Sequence, residues 1–146
     1  MIRKYMLIGI VMLGYLIYEK KNRTTNSRVL NADENKIEHT FTEEGKFKDI
    51  EITMVATFWT IPVSKDVVYA EGKHIITTQN GQETATIRGF GIGRVINQSI
   101  STSYRGSFFY KTSSKDKLAF LNNMVGIFEA EVDESGNGVV KVWEWK

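Results

Sequence analysis

The sequence predicts an all-β fold: an antiparallel meander that closes into a barrel or barrel-like domain, led by an N-terminal hydrophobic helix. Three observations carry that expectation. From Lys36 onward apolar residues recur with a period of two, turn-forming residues separate the alternating runs, and only one short stretch has a helical look.

The alternation is clearest in three places. Ile50, Ile52, Met54, Ala56 and Phe58 share one face, and Glu51, Thr53, Val55, Thr57 and Trp59 the other. Ile100, Thr102, Tyr104, Phe108 and Tyr110 alternate with Ser99, Ser101, Ser103, Arg105 and Ser107. Phe128, Ala130 and Val132 alternate with Glu129, Glu131 and Asp133. A large-apolar face opposite a hydroxylated and charged face describes a sheet wet on one side. Turns are expected at Glu43-Glu44-Gly45, Asn80-Gly81, Asn97-Gln98 and Glu134–Gly138, where Gly and Asn tolerate positive φ. The lone proline, Pro62, is expected at the end of a long strand, where a missing N–H costs least. The predicted strands run near 36–42, 46–61, 67–78, 83–95, 99–112, 124–133 and 139–146, with a turn of helix placed in Lys115–Asn123. Glycines 89, 91 and 93 in the fourth strand favour a sheet that curls.

Upstream, Tyr5 to Tyr18 is an uncharged run of 14 residues between Arg3-Lys4 and Lys20-Lys21. As a helix it would cover about 21 Å of a hydrocarbon core near 30 Å, short for a crossing but workable with snorkelling flanks. The following EKKNRTTNS lacks a small-x-small cleavage site, and the run has no polar face as a core helix would. Residues 1–18 are therefore read as a single-pass membrane anchor, 19–35 as a polar linker with room for a short first strand near Val29, and 36–146 as the β domain. Basic residues on both flanks leave the side of the membrane open.

Charge narrows the partners. Residues 29–146 carry 13 Lys and Arg against 16 Asp and Glu, a poor composition for gripping phosphates, so nucleic acid is not expected. There is no cysteine, which removes thiolate chemistry and Cys-ligated zinc. No cofactor and no metal set are expected either.

Four stretches invite a chemical reading. Arg88–Val95 is Gly-x-Gly-x-Gly, without the spacing or following helix of a dinucleotide loop. Its opening Arg-Gly-Phe-Gly matches an RNA-binding strand motif, but the two helices behind such a sheet have no sequence here; the bland reading is a strand kept thin for close neighbours. Tyr104–Lys111 interleaves basic and aromatic residues, yet alternation sends the tyrosines and Phe108 to the core. Glu129 and Glu131 share a wet face and lack the burial that acid–base chemistry needs. The chain has two histidines, both on apolar faces: His39 between Ile37 and Phe41, and His74 with Ala70, Gly72 and Ile76. The bland reading makes each a satisfied core histidine bonded to Tyr, Ser or Thr; the sharper one makes them the polar part of a small ligand pocket, with Glu144 a neighbour of His39 if the first and last strands meet and Val140 and Val142 face inward. Trp59, Trp143 and Trp145 are expected on an outer surface that either is covered by Leu118–Met124 folding over a barrel end or meets the linker, a protein partner, a second copy or lipid.

The run Tyr104-Arg-Gly-Ser-Phe-Phe109, Thr112–Ser114, Leu118–Asn123, Gly126, Phe128-Glu129 and the terminal Trp143–Lys146 resembles a functionally uncharacterised family of small barrel-like all-β proteins from archaea and bacteria. The resemblance covers about residues 28–146. It implies a barrel-like fold and supplies no catalytic residue; the hydrophobic segment departs from a family whose members begin at the barrel. The expected function is a membrane-tethered, non-enzymatic module binding a protein partner or a small apolar ligand. The alternative is a barrel-mouth enzyme of the lyase, isomerase or hydrolase kind.

Overall fold

The computed structural model describes residues 14–96 and 101–146. They form nine antiparallel strands: β1 (Leu16–Arg23), β2 (Asn26–Asn31), β3 (Lys36–Phe47), β4 (Ile50–Ser64), β5 (Val67–Thr78), β6 (Thr84–Ile96), β7 (Ser101–Lys111), β8 (Val125–Val132) and β9 (Asn137–Glu144). One ladder joins them in the order β1-β9-β8-β7-β6-β5-β4-β3-β2, a meander curled into a half-barrel. A single 3-10 turn, Ala119–Leu121, occupies the stretch expected to hold helix.

All seven expected strands are present, and residues 16–31 add two more. The segment 19–35, expected as a linker, is largely sheet. β1 pairs with β9, from Leu16 opposite Trp143 to Arg23 opposite Asn137, while β2 pairs with β3. The chain passes from one edge of the sheet to the other through Thr24 and Thr25. The Thr24 N–H donates to the Gly136 carbonyl at 3.0 Å, and the Thr25 N–H to the Thr40 carbonyl at 2.9 Å. The short strand near Val29 is β2; its polar composition hides its extent because an edge strand needs few apolar residues, and every residue of β2 is exposed.

The hydrophobic helix expected over residues 1–18 is not seen. No helix among the described residues is long and apolar enough to cross a membrane. Leu16, Ile17 and Tyr18 belong to β1, where a bulge between Leu16 and Tyr18 turns both Ile17 (2 % exposed) and Tyr18 (3 % exposed) into the protein. The rest of the run, Tyr5–Leu13, lies outside the described residues, as does the Asn97-Gln98 turn.

The other turns divide. Asn80-Gly81 and the Asp133–Asn137 loop turn as expected, with Gly81 and Gly136 at positive φ. Glu43-Glu44-Gly45 does not: β3 continues through it to Phe47, and the reversal falls at Lys48-Asp49, with Lys48 at φ 54°. Gly45 serves space rather than turning, since a Cβ there would lie 2.7 Å from the Tyr18 hydroxyl. β4 runs past Pro62 to Ser64, and the ladder to β5 is irregular between those two residues, which accommodates the missing N–H.

The two ends of the half-barrel differ. At the base, Leu118 and Leu121 are fully buried and Met124 nearly so, in one core cluster with Phe47, Ile52 and Ile76. Glu83 ties this plug down, accepting hydrogen bonds from the Ser114 hydroxyl and the Leu118 N–H. At the opposite end a mouth of about 600 Å³ is lined by Thr24, Ser27, His39, Thr60, Tyr104 and Val132, among others.

Candidate functional site

The inward positions of β3 run from mouth to base as His39, Phe41, Glu43, Gly45 and Phe47. Phe41, Met54, His74, Ile87, Phe108, Tyr110, Phe128 and Val142 project into the same interior from their own strands and build an apolar wall. Space for the rings comes from the glycines of β6. A Cβ on Gly89, Gly91 or Gly93 would lie within 3 Å of Phe108, Phe128 or Tyr104 respectively. The thin strand inferred from Arg88–Val95 is therefore a bed for aromatic side chains. Phe108 stacks on Phe128 at 4.3 Å.

The rings leave an interior cavity of about 100 Å³, and Thr24, Phe58, Tyr104 and Val132 line both it and the mouth. Among the polar residues of its lining, Tyr18, Glu43, His74 and Tyr110 are buried. Tyr18 donates to Glu43 Oε1 at 2.7 Å. Glu43 Oε2, His74 Nδ1 and the Tyr110 hydroxyl are buried without a hydrogen-bond partner. Leaving such a group unpaired costs about 1–3 kcal/mol, so three around one small space is a concentration that needs a physical reason.

Burial sets their charge states. It raises the Glu43 pKa above the usual carboxylate value, partly offset by the Tyr18 hydrogen bond and by Lys20, which lies on the inward-facing side of β1. It pushes the His74 imidazole down to about 4, so the ring is neutral at pH 7. Tyr18 and Tyr110 are raised far above the ordinary phenol range, Tyr18 by burial and by Glu43, Tyr110 by burial alone. The cavity is thus apolar with a few groups that burial biases toward their neutral forms, a lining suited to small-molecule sites. Among the described residues no group of three or more His, Cys, Asp or Glu could hold a metal.

The expected site residues do not come together. His39 is at the mouth, stacked on Phe58 at 4.9 Å, with Ser27 Oγ 2.9 Å from Nδ1 and Thr60 Oγ1 3.4 Å from Nε2. Burial lowers its pKa as well. His74 is deeper, with Phe41 and Phe108 edge-on to its ring at 6.0 and 5.2 Å. Glu144 lies at the base, opposite Gly126 and with its N–H on the Tyr15 carbonyl at 3.0 Å. It is not a neighbour of His39, because β1 runs along β9 in an orientation that puts the crossing to β3 at the other end.

The tryptophans do not form one surface either. Trp59 is on the outer wall of β4, 5.5 Å from Tyr69, with Lys36 Nζ 4.2 Å above its ring. Trp143 and Trp145 belong to the β9 end, and β5 through β8 lie between. Glu129 and Glu131 sit on the wet face as expected, each within 3.5 Å of Arg105. The residue that the sequence reading missed is Glu43. The alternation Ile37, His39, Phe41 continues through Glu43, Gly45 and Phe47, a signal obscured by the turn-like Glu-Glu-Gly.

No protein-family model, curated protein or solved structure matches this chain. The resemblance to the barrel-like family rests on the quoted residues alone.

Proposed function

We propose that this chain is a membrane-tethered binding module that takes a small, largely apolar molecule with one hydrogen-bonding end into the half-barrel. The supporting observation is that Glu43 Oε2, His74 Nδ1 and the Tyr110 hydroxyl are all without partners around one cavity. At about 30 Å³ per water the cavity has room for roughly three waters, or for the head of a ligand whose remainder fills the mouth. The tether is the uncharged Tyr5–Leu13. Nine residues would measure about 14 Å if helical, a length that suits anchoring in one leaflet better than a full crossing.

Phenol and benzene are suitable probes, differing only in the hydrogen-bonding end. Titration against the melting temperature should give saturable stabilisation by phenol and less by benzene, with the phenol advantage lost in Glu43→Leu. No saturable response to either probe would sink the binding reading.

A second reading is supported by the raised proton affinity of Glu43: an isomerase in which its carboxylate removes and returns a carbon-bound proton, as general acid–base catalysis requires. It predicts solvent deuterium entering a small ketone probe such as cyclopentanone, at a rate abolished by Glu43→Gln.

A further inference from the structure

The position at which the chain joins the sheet determines the end of the half-barrel to which the apolar N-terminal run is connected. β1 begins at the base: Leu16 stands opposite Trp143, and the Lys48 N–H donates to the Ile17 carbonyl at 2.9 Å. Only Gly14 and Tyr15 separate Tyr5–Leu13 from β1, and two residues reach at most about 7 Å. Tyr15 is itself held at the base by the Glu144 N–H. Any bilayer that takes up Tyr5–Leu13 is thereby brought to the base, and the mouth is at the far end of the strands.

The base is surfaced for such contact. Tyr15 is 73 % exposed, Leu16 47 % and Trp145 51 %, with Phe120 half-buried on the plug. Lys146 Nζ lies 5.5 Å from the Tyr15 ring centroid and Lys48 Nζ 4.5 Å from that of Phe120. Aromatic rings carrying lysines, whose stems follow the rings while the ammonium groups stay in water, are the residues enriched at the membrane–water boundary. Lys48, Lys115, Lys117 and Lys146 are matched in number by Asp49, Glu83, Asp116 and Glu144 around the same end. The apolar and aromatic groups, not net charge, therefore provide the attraction.

We propose that the base of the half-barrel is a membrane-seating surface that rests in the headgroup zone of a lipid bilayer, with Tyr15, Phe120 and Trp145 at the boundary. The mouth then opens to water, and a ligand arrives from the aqueous side. This seat rests on the reading of Tyr5–Leu13 as membrane-inserting.

The chain has no cysteine, so single labels report position cleanly. Lys146→Cys at the base and Glu134→Cys by the mouth, both at exposed positions, would carry a polarity-sensitive fluorophore on the full-length chain. With phosphatidylcholine vesicles, emission should rise several-fold from the base label and stay unchanged from the mouth label. Labels at brominated-lipid depth should be quenched in the same order. Co-flotation with vesicles while both labels respond alike, or while the mouth label responds more, would overturn the seat and leave the tether standing. Failure of the full-length chain to float with vesicles would overturn the tether and the seat together.

Discussion

Tyr18 donates a hydrogen bond from its hydroxyl to Glu43 Oε1 at 2.7 Å, and that bond joins β1 to β3, two strands that share no ladder. Its donor comes from the last residue of an apolar run and its acceptor from a carboxylate on the core face of β3. Stacking of Tyr18 on Phe47 at 4.4 Å holds the phenol in place. The same contact brings the two sides of the half-barrel together and positions a buried acidic group in its cavity.

Tyr18→Phe should therefore lose about 1–3 kcal/mol in urea denaturation, the cost of leaving a buried carboxyl without its donor. Gly45→Ala should act in the same direction by displacing the hydroxyl. The double variant Tyr18→Phe/Glu43→Leu removes both partners and should recover most of the loss. Additive losses would show that the bond contributes nothing.

Truncation should separate the tail from the fold. Removing residues 1–13 should leave a cooperative melt and a β-type circular dichroism spectrum. Removing residues 1–27 takes away all of β1, with Ile17 and Tyr18 from the core cluster and the partner of β9. That shorter chain should melt without cooperativity; an unchanged melt would contradict the role given to β1.

His74 should make the protein acid-sensitive. Its folded pKa of about 4 is below the unfolded 6.5, so the unfolded chain binds the proton first as pH falls. Stability is intact above pH 6.5 and drops by about 1.4 kcal/mol per pH unit down towards 4. Glu43 works in the opposite sense: its raised folded pKa makes stability fall as pH rises through the folded value. His74→Leu should flatten the acid limb and, by removing an unpartnered ring nitrogen, leave the neutral-pH melt unchanged or higher. A clear destabilisation at pH 7 would show that His74 has a partner in solution.

His39→Leu should behave differently. Thr60 is buried and would lose the imidazole facing it, while Ser27 is exposed and can turn to water. A modest loss, about 1 kcal/mol, is expected in the same denaturation experiment. A loss as large as that of Tyr18→Phe would make the mouth, not the cavity, the better-ordered site.

The plug offers a local test. Glu83→Ala removes the acceptor of the Ser114 hydroxyl and the Leu118 N–H, and should speed hydrogen exchange at Leu118 and Leu121 more than at Ile52 or Ile76. The first of those bonds, with Ser114, also holds the Glu83 carboxyl below the usual carboxylate range. The latch is therefore intact above the unfolded carboxylate pKa and weakens as pH falls through the folded value. Uniform exchange changes would mean that the plug does not open by itself.

Period-two alternation by itself determined the meander, its wet and dry faces, and the inward placement of both histidines, because strand geometry sends every second side chain to one face whatever the partner strand. The same local rule accounts for the thin glycine strand and for the solvent-facing Glu129 and Glu131. Which strands met was decided by the tertiary structure. Apart from the short strand signalled near Val29, residues 16–31 look like tail and linker, and they form full strands because β9 and β3 offer edges for their backbone groups. Glu43 became a core residue when β1 brought Tyr18, 25 positions away, to satisfy one of its oxygens. The separation of His39 from Glu144, and of Trp59 from Trp143 and Trp145, follows from strand order and register. Those are long-range relations, carried by backbone hydrogen bonds and packing, and a local pattern of apolar and polar residues does not encode them.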